Sequence, residues 1–174
     1  LWIGIASAST LLVAAIGLLW WEGYGTSVAE SPGDTPLVNA ASVQKFVFAT
    51  TRDALARGRN LPLYIPTGVF LQTLEIVGPN NINVTGYVWQ NYARSVPPTV
   101  VRGFALPDAS NSEITEAYRR SDSDGETIGW HVKATLRQRF DYTRYPLDQQ
   151  GFRLSIRHRE LDNRVILIPD LESY

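Results

Sequence analysis

The chain has 174 residues, with 16 Lys and Arg against 17 Asp and Glu, so its formal net charge of −1 offers no broad basic footprint for nucleic acid. It contains no Cys and no Met, which excludes disulfides, thiol catalysis and cysteine metal sites. Once an apolar amino-terminal stretch is set aside, about 150 residues remain, enough for one domain with its own core.

That stretch, Leu1 to Trp21 (LWIGIASASTLLVAAIGLLWW), has no charged side chain. As a helix rising about 1.5 Å per residue it reaches roughly 30 Å, the hydrocarbon thickness of a bilayer. It closes on Trp20 and Trp21, an aromatic pair suited to a membrane–water interface, and Glu22 is the first charge. A transmembrane helix over residues 1–21 is therefore expected. The rival reading is a cleaved signal peptide, because Ser27-Val28-Ala29 resembles a small-residue cleavage site, but signal h-regions run only about 7–15 residues. Gly4, Ala8 and Ala15 fall near one face, where small side chains permit close approach of another membrane helix; facing lipid is their alternative role. Glu22, Glu30 and Asp34 precede the first cation, Lys45, so this flank reads as non-cytoplasmic. A single-pass protein of a bacterial inner membrane, with its domain on the periplasmic or exterior side, is the expectation.

Residues 22–38 (EGYGTSVAESPGDTPLV) are rich in Gly, Ser, Pro and Thr and read as a linker. Asn39 is a fair helix N-cap and Gly58 a natural stop, which brackets a helix with Val43, Phe46, Val47 and Ala54 on one face and Thr50 interrupting it. The run Val69–Val77, the turn cluster Gly78-Pro79-Asn80-Asn81 and the run Ile82–Tyr92 suggest a β-hairpin, and Thr99–Leu106 is a further strand candidate. The clearest alternation lies in Thr127–Phe140: Ile128, Trp130, Val132, Ala134, Leu136 and Phe140 share one face, interrupted by Gln138. His131, Lys133, Thr135, Arg137 and Arg139 occupy the other. Phe152, Leu154 and Ile156 alternate in the same manner with Arg153, Ser155 and Arg157, so these two segments are expected to pair antiparallel. Asp162-Asn163 turns the chain into Val165–Ile168, which Pro169 ends. The fold class expected is mainly β, an antiparallel β-sandwich over residues 39–174 preceded by one short helix.

Between the two alternating segments stands Tyr145-Pro146-Leu147-Asp148-x-Gln150. It resembles the aromatic-Pro-hydrophobic-Asp-x-Gln signature of pentameric ligand-gated ion channels, the Cys-loop receptors and their cysteine-free prokaryotic relatives. The similarity continues through Phe152–Arg157 to Asn163-Arg164-Val165-Ile166-Leu167-Ile168-Pro169-Asp170, and Thr67–Val77 and Asn83–Tyr92 look like that fold's first two strands. Gln138 and Phe152 stand where the eukaryotic cysteines would be. The resemblance implies an extracellular ligand-binding sandwich in which Tyr145, Pro146, Asp148 and Gln150 belong to a membrane-proximal coupling loop. In that family the pore helices follow the sandwich, whereas here an apolar helix precedes it, so the resemblance speaks for the sandwich and not for channel activity. An ordinary tight turn is the other reading of Pro146 and Asp148.

If the alternating segments pair, Lys133, Arg137, Arg139, Arg153 and Arg157 share a sheet face able to take an anionic ligand, an acidic partner or lipid headgroups. A solvated face balanced by neighbouring acids is the plainer account. Tyr87, Trp89 and Tyr92 offer part of an aromatic ligand box, with core or edge packing as the alternative. Asp122-x-Asp124-Gly125-Glu126 hints at a calcium loop, but position 1 of an EF-hand alignment would be Arg120 and position 12 His131, so it reads as a polar hairpin turn. His131 and His158 lack any zinc or nucleophile context, and the sequon Asn83-Val84-Thr85 arises readily by chance. No cofactor, metal or catalytic group is expected. The sequence therefore points to a membrane-anchored binding or ligand-sensing module, with an accessory subunit of a larger membrane complex as its rival. The partners expected are membrane lipid, other membrane subunits and a small or anionic ligand, with no nucleic acid.

Overall fold

The computed structural model describes residues 2–24, 37–143, 150–160 and 164–173. The chain forms two compact units, one comprising Thr35–Gln138 with Arg153–Tyr174 and the other Leu1–Asp34 with Arg139–Phe152.

The smaller unit contains helix α1 (Trp2–Tyr24), which has apolar residues on every side. Among its described side chains Trp2, Leu11, Leu12, Val13, Leu18 and Trp21 are all strongly exposed. Counted over the described residues alone, no helix is long and apolar enough to cross a membrane; the side chains of Ile3, Leu19 and Trp20 lie outside that set.

The larger unit opens with α2 (Ala40–Ala56), whose start is fixed by a capping box. Asn39 Oδ1 accepts from the Ser42 amide at 2.8 Å, and Ser42 Oγ accepts from the Asn39 amide at 3.1 Å. Each pairing satisfies a donor that the first helical turn would otherwise orphan. The helix stops at Arg57, and Gly58 follows at φ 61°, a left-handed conformation open to glycine at no Cβ penalty. Thr50, which interrupts the apolar stripe, is accommodated half-buried because its hydroxyl donates to the Phe46 carbonyl at 2.8 Å.

Among the described residues seven strands follow: β1 (Leu63–Gly78), β2 (Asn81–Ala93), β3 (Phe104–Ala105), β4 (Ala109–Ser121), β5 (Gly125–Arg137), β6 (Arg157–His158) and β7 (Val165–Pro169). Five form one sheet in the order β4-β5-β2-β1-β7, and β3 pairs with β6 as a short ribbon. The unit is thus mainly β, as the alternation implies. The sheet is mixed rather than wholly antiparallel, because β7 joins β1 in parallel, Leu63 opposite Val165 through Thr67 opposite Pro169.

The β1–β2 hairpin forms where expected, with Val69 opposite Val88 and Ile76 opposite Ile82. Strand β2 alternates along its length: Ile82, Val84, Gly86, Val88, Gln90 and Tyr92 are buried and the residues between them half-exposed. Strand β5 continues the same two faces, burying Ile128, Trp130, Val132, Ala134 and Leu136. Together with Ile65, Phe104, Leu106 and Val165 these residues make up most of the core, which is what period-two alternation on a one-sided sheet produces.

The expected pairing of Thr127–Phe140 with Phe152–Arg157 does not occur. Both edges of β5 are already filled, by β2 on one side and β4 on the other. Residues 151–156 form no strand, and Arg157–His158 pairs instead with β3. Leu154 and Ile156 are half-buried rather than core residues. Gln138 still ties to this returning segment, donating to the Arg153 carbonyl at 2.8 Å and accepting from its amide at 3.3 Å. Of the strand expected over Thr99–Leu106 only β3 forms, whereas β4 has no alternation in the sequence to announce it. The turn at Asp162-Asn163 lies outside the described residues.

Candidate functional site

Because β2 and β5 bury one face, their other face carries the candidate side chains in rows across the sheet. Registers place Gly68, Trp89, Gly129 and Tyr118 in one row and Phe70, Tyr87, His131 and Thr115 in the next. The two glycines in the first row leave room for the aromatic rings. A Cβ on Gly68 would run into the Trp89 indole, and one on Gly129 into the Tyr118 ring. Each ring therefore lies flat over a neighbouring strand. Tyr87 meets His131 edge-on, with ring centroids 5.2 Å apart. Phe70 and Tyr118 remain 55% and 41% exposed, so this face presents aromatic surface to its surroundings.

Tyr87 and Trp89 are thus brought together, but Tyr92 is not with them. Three residues beyond Trp89 it points to the opposite face and is buried. Its hydroxyl donates to Gln90 Oε1 at 2.6 Å and accepts from the Gly103 amide at 2.9 Å. Burial pushes the phenol pKa above its ordinary value, with the Gly103 amide and the Arg102 charge opposing that shift. The Arg102 guanidinium sits 4.5 Å from the centre of the Tyr92 ring. It also bonds Glu126 at 2.7 Å and the carbonyls of Val100 and Pro97 at 2.8 and 3.2 Å. Glu126 in turn holds Arg119 at 2.8 Å, and Arg119 grips Glu116 with two bonds. Hydrogen bonding to Arg102 lowers the Glu126 carboxyl below its usual range, and Arg119 does the same for Glu116.

The basic face is smaller than expected. Lys133 and Arg137 lie on the open face of β5, with Lys133 opposite both Thr85 of β2 and Glu113 of β4. Arg157 lies on β6 opposite Ala105, away from them, because the returning segment never pairs with β5. Arg153 is outside any strand, and Arg139 belongs to the other unit. The open face beside Lys133 holds a shallow cavity of about 300 Å³ lined by Thr73, Glu75, Asn83, Thr85, Glu113 and Thr135 among others. Acidic neighbours therefore stand on both sides of the one ammonium there.

Within the smaller unit Gln150 is tied to Asp141, accepting from its amide at 3.1 Å and donating to its carbonyl at 2.7 Å. Tyr145, Pro146 and Asp148 lie outside the described residues, as does the Trp20 side chain; Trp21 is exposed. Gly4, Ala8 and Ala15 are exposed, with open space above Gly4. The segment Asp122–Glu126 is the polar turn expected, with Asp122 Oδ1 accepting from the amides of Asp124 and Gly125 at 2.9 and 3.0 Å. Gly125 is required there because a Cβ would strike the Tyr92 carbonyl. Thr135 donates to Asn83 Oδ1 at 2.8 Å, which already engages the asparagine of the sequon.

Two polar residues are buried in places that the sequence pattern does not assign. Asp170 is 5% exposed, and its Oδ2 accepts from Trp89 Nε1, Asn91 Nδ2 and Ser173 Oγ at 2.8, 2.8 and 2.6 Å. It pins the end of β7 to the open face of β2. His158 is 3% exposed and donates from Nε2 to the Val101 carbonyl at 2.9 Å, while its Nδ1 has no partner. Only the Pro169-Asp170 boundary and a lone histidine marked these positions in the sequence, and neither signal names a partner. Among the described residues no group of three or more His, Asp or Glu is placed to hold a metal ion.

No family model matches the chain, and no curated protein matches it.

Proposed function

We propose that the chain is a membrane-anchored, exported binding domain that takes up a ligand on its sheet and passes the event to the membrane segment. The observation that carries this reading is α1. Glu22 is the only charge in its 23 residues, and its described apolar side chains, from Trp2 to Trp21, are 49–84% exposed around the helix. A helix apolar on every side belongs in a core or a membrane. With about 1.5–3 kcal/mol gained for each large apolar side chain removed from water, leaving it solvated would cost on the order of 10 kcal/mol. Insertion into a bacterial inner membrane relieves that cost, with Trp20 and Trp21 at the exterior interface and lipid as the first partner.

The binding reading rests on the open sheet face, where Tyr87, Trp89 and His131 gather beside Lys133. The order α2, β1–β2 hairpin, β5, segment 139–152 and β7 supports the likeness to the extracellular domain of ligand-gated channels. So does the edge contact of Phe104 on β3 with Trp130 on β5, centroids 5.5 Å apart. On that reading Tyr145–Gln150 is the coupling loop. The accessory-subunit reading is favoured by the open small-residue face of α1 at Gly4, Ala8 and Ala15, which fits a second membrane helix.

The chain has no native cysteine, so one introduced thiol reports topology cleanly. Ser112→Cys, exposed on β4, should react with a membrane-impermeant maleimide in intact spheroplasts. Reaction only after permeabilisation would place the domain in the cytoplasm and defeat the proposal.

A further inference from the structure

Two polar rows border the aromatic row on the open face of the sheet. Registers set Lys133 of β5 beside Glu113 of β4 in the first, two residues along from His131. In the second, Glu75 of β1 lies opposite Asn83 of β2, and Asn111 of β4 closes the far end. Side chains of both rows line the cavity of about 300 Å³, within the range of small-ligand sites.

The threonine hydroxyls of this cavity are satisfied inside the protein. Thr73 bonds Thr85, and Thr135 donates to Asn83 Oδ1 at 2.8 Å. Its charged and amide groups are left open. Among the described residues the side chains of Glu75, Glu113, Lys133 and Asn111 make no hydrogen bond or ion pair, and Asn83 Nδ2 donates to nothing. Lys133 faces Glu113 in register without pairing with it. On the same two strands, by contrast, Arg119 binds both Glu116 and Glu126.

We infer that this cavity recognises a neutral saccharide; the inference names the ligand class for the binding reading above and rests on it. Charge selects that class. Carboxylates on β1 and β4 repel an anion, and the ammonium on β5, between them in the sheet order, repels a cation. The open groups are acceptors on Glu75 and Glu113 and donors on Lys133 and Asn83. Vicinal hydroxyls donate and accept at once, so a neutral polyol engages all of them, and bonds to charged groups are the stronger kind. Span agrees with this. Four strands at about 4.8 Å spacing put the β1 and β4 positions roughly 14 Å apart, the length of a short oligosaccharide. The bordering row supplies the apolar contact: Phe70 is 55% exposed, and Tyr87 stands half-exposed against His131. The C–H face of a sugar ring packs on such aromatic surface while its rim hydroxyls reach the polar groups.

The test is saturation-transfer difference NMR on the full chain in a detergent without a sugar headgroup, with cellotriose, maltotriose, mannotriose and chitotriose as probes. At least one should bind through its ring protons. Glu113→Ala and Asn111→Ala should each weaken it roughly tenfold, with melting curves unchanged, while Ser112→Ala, on the other face of β4, should bind as wild type. Lys133→Gln keeps an N–H donor and should bind far better than Lys133→Ala. A roughly tenfold rise in salt should leave affinity unaltered, since no net charge is neutralised. Binding that ignores Glu113→Ala and Asn111→Ala would overturn the inference. Failure of all four sugars, with lysine or spermidine binding in a Glu113-dependent, salt-sensitive manner, would overturn it and leave the binding reading standing. Silence from sugars and amines alike would defeat both.

Discussion

Tyr92→Phe isolates the chemistry of one buried hydroxyl. The ring stays the same size, so packing against Arg102 and the core is unchanged, and only an oxygen is lost. That oxygen serves two partners, Gln90 Oε1 at 2.6 Å and the Gly103 amide at 2.9 Å, in surroundings where Tyr92 is 1% and Gln90 0% exposed. Each buried group left without a partner costs about 1–3 kcal/mol, so the variant should lose roughly 2–4 kcal/mol after partial relaxation of the loop at Gly103. For a domain of this size that corresponds to a melting temperature lower by about 6–15 °C. Tyr87→Phe on the open face is the matched control and should change stability by less than about 0.5 kcal/mol. The assay is urea unfolding followed by near-ultraviolet circular dichroism. A second signature follows from titration. Because burial holds the folded phenol above its ordinary pKa of 10.0, its contribution is full below pH 10 and is lost as pH rises through the folded value. Tyr92→Phe should remove that alkaline component. Equal stabilities for the two phenylalanine variants would refute the assignment of the hydroxyl as a bridge between β2 and the loop.

Other consequences follow from the same geometry. Leu136→Ala, at 1% exposure in β5, should cost about 2–5 kcal/mol, against less than about 0.5 for Arg137→Ala beside it; comparable losses in chemical denaturation would contradict the assigned faces. Asp170→Ala strands the Trp89 indole N–H, so it should shift tryptophan emission and speed proteolysis near Ser173; unchanged spectra and cleavage would disprove the latch. Glu126 and Glu116 have folded pKa values below their ordinary 4.5, so their contribution is complete above that pH and declines as pH falls through the folded values. Glu126→Gln should shrink the acid-induced loss between about pH 5 and 3; an unaltered acid limb would show that the Arg102–Glu126–Arg119 chain does not act this way.

The parts legible in the sequence were those with a period. The Asn39 cap, the hairpin around Gly78–Asn81 and the alternation of Ile128 through Leu136 each carry local information, and each element stands where it was read. Pairing partners carry no such signature. The alternation of Phe152 to Ile156 suits a strand against β5, yet both edges of β5 are taken by β2 and β4. Strand β4 itself was illegible because an edge strand with Ile114 as its sole half-buried position after Ala109 has no apolar face to read. The same gap affected the site. Alternation separates Tyr92 from Tyr87 and Trp89 by simple parity. The glycines beneath Trp89 and Tyr118, the three donors on Asp170 and the Arg102–Glu126 bond depend on register between distant segments, which one sequence does not reveal. The basic face failed for that reason as well, since Arg157 could join Lys133 only through a pairing that does not form.

The central claim, that α1 holds this chain in a membrane, is tested most directly by alkaline carbonate extraction of membranes from cells expressing the full chain. The account predicts that the chain stays in the pellet and that Leu11→Arg with Val13→Arg releases it, since each charge at mid-helix costs about 2.5–3.5 kcal/mol on insertion. Wild-type chain recovered in the carbonate supernatant would contradict it.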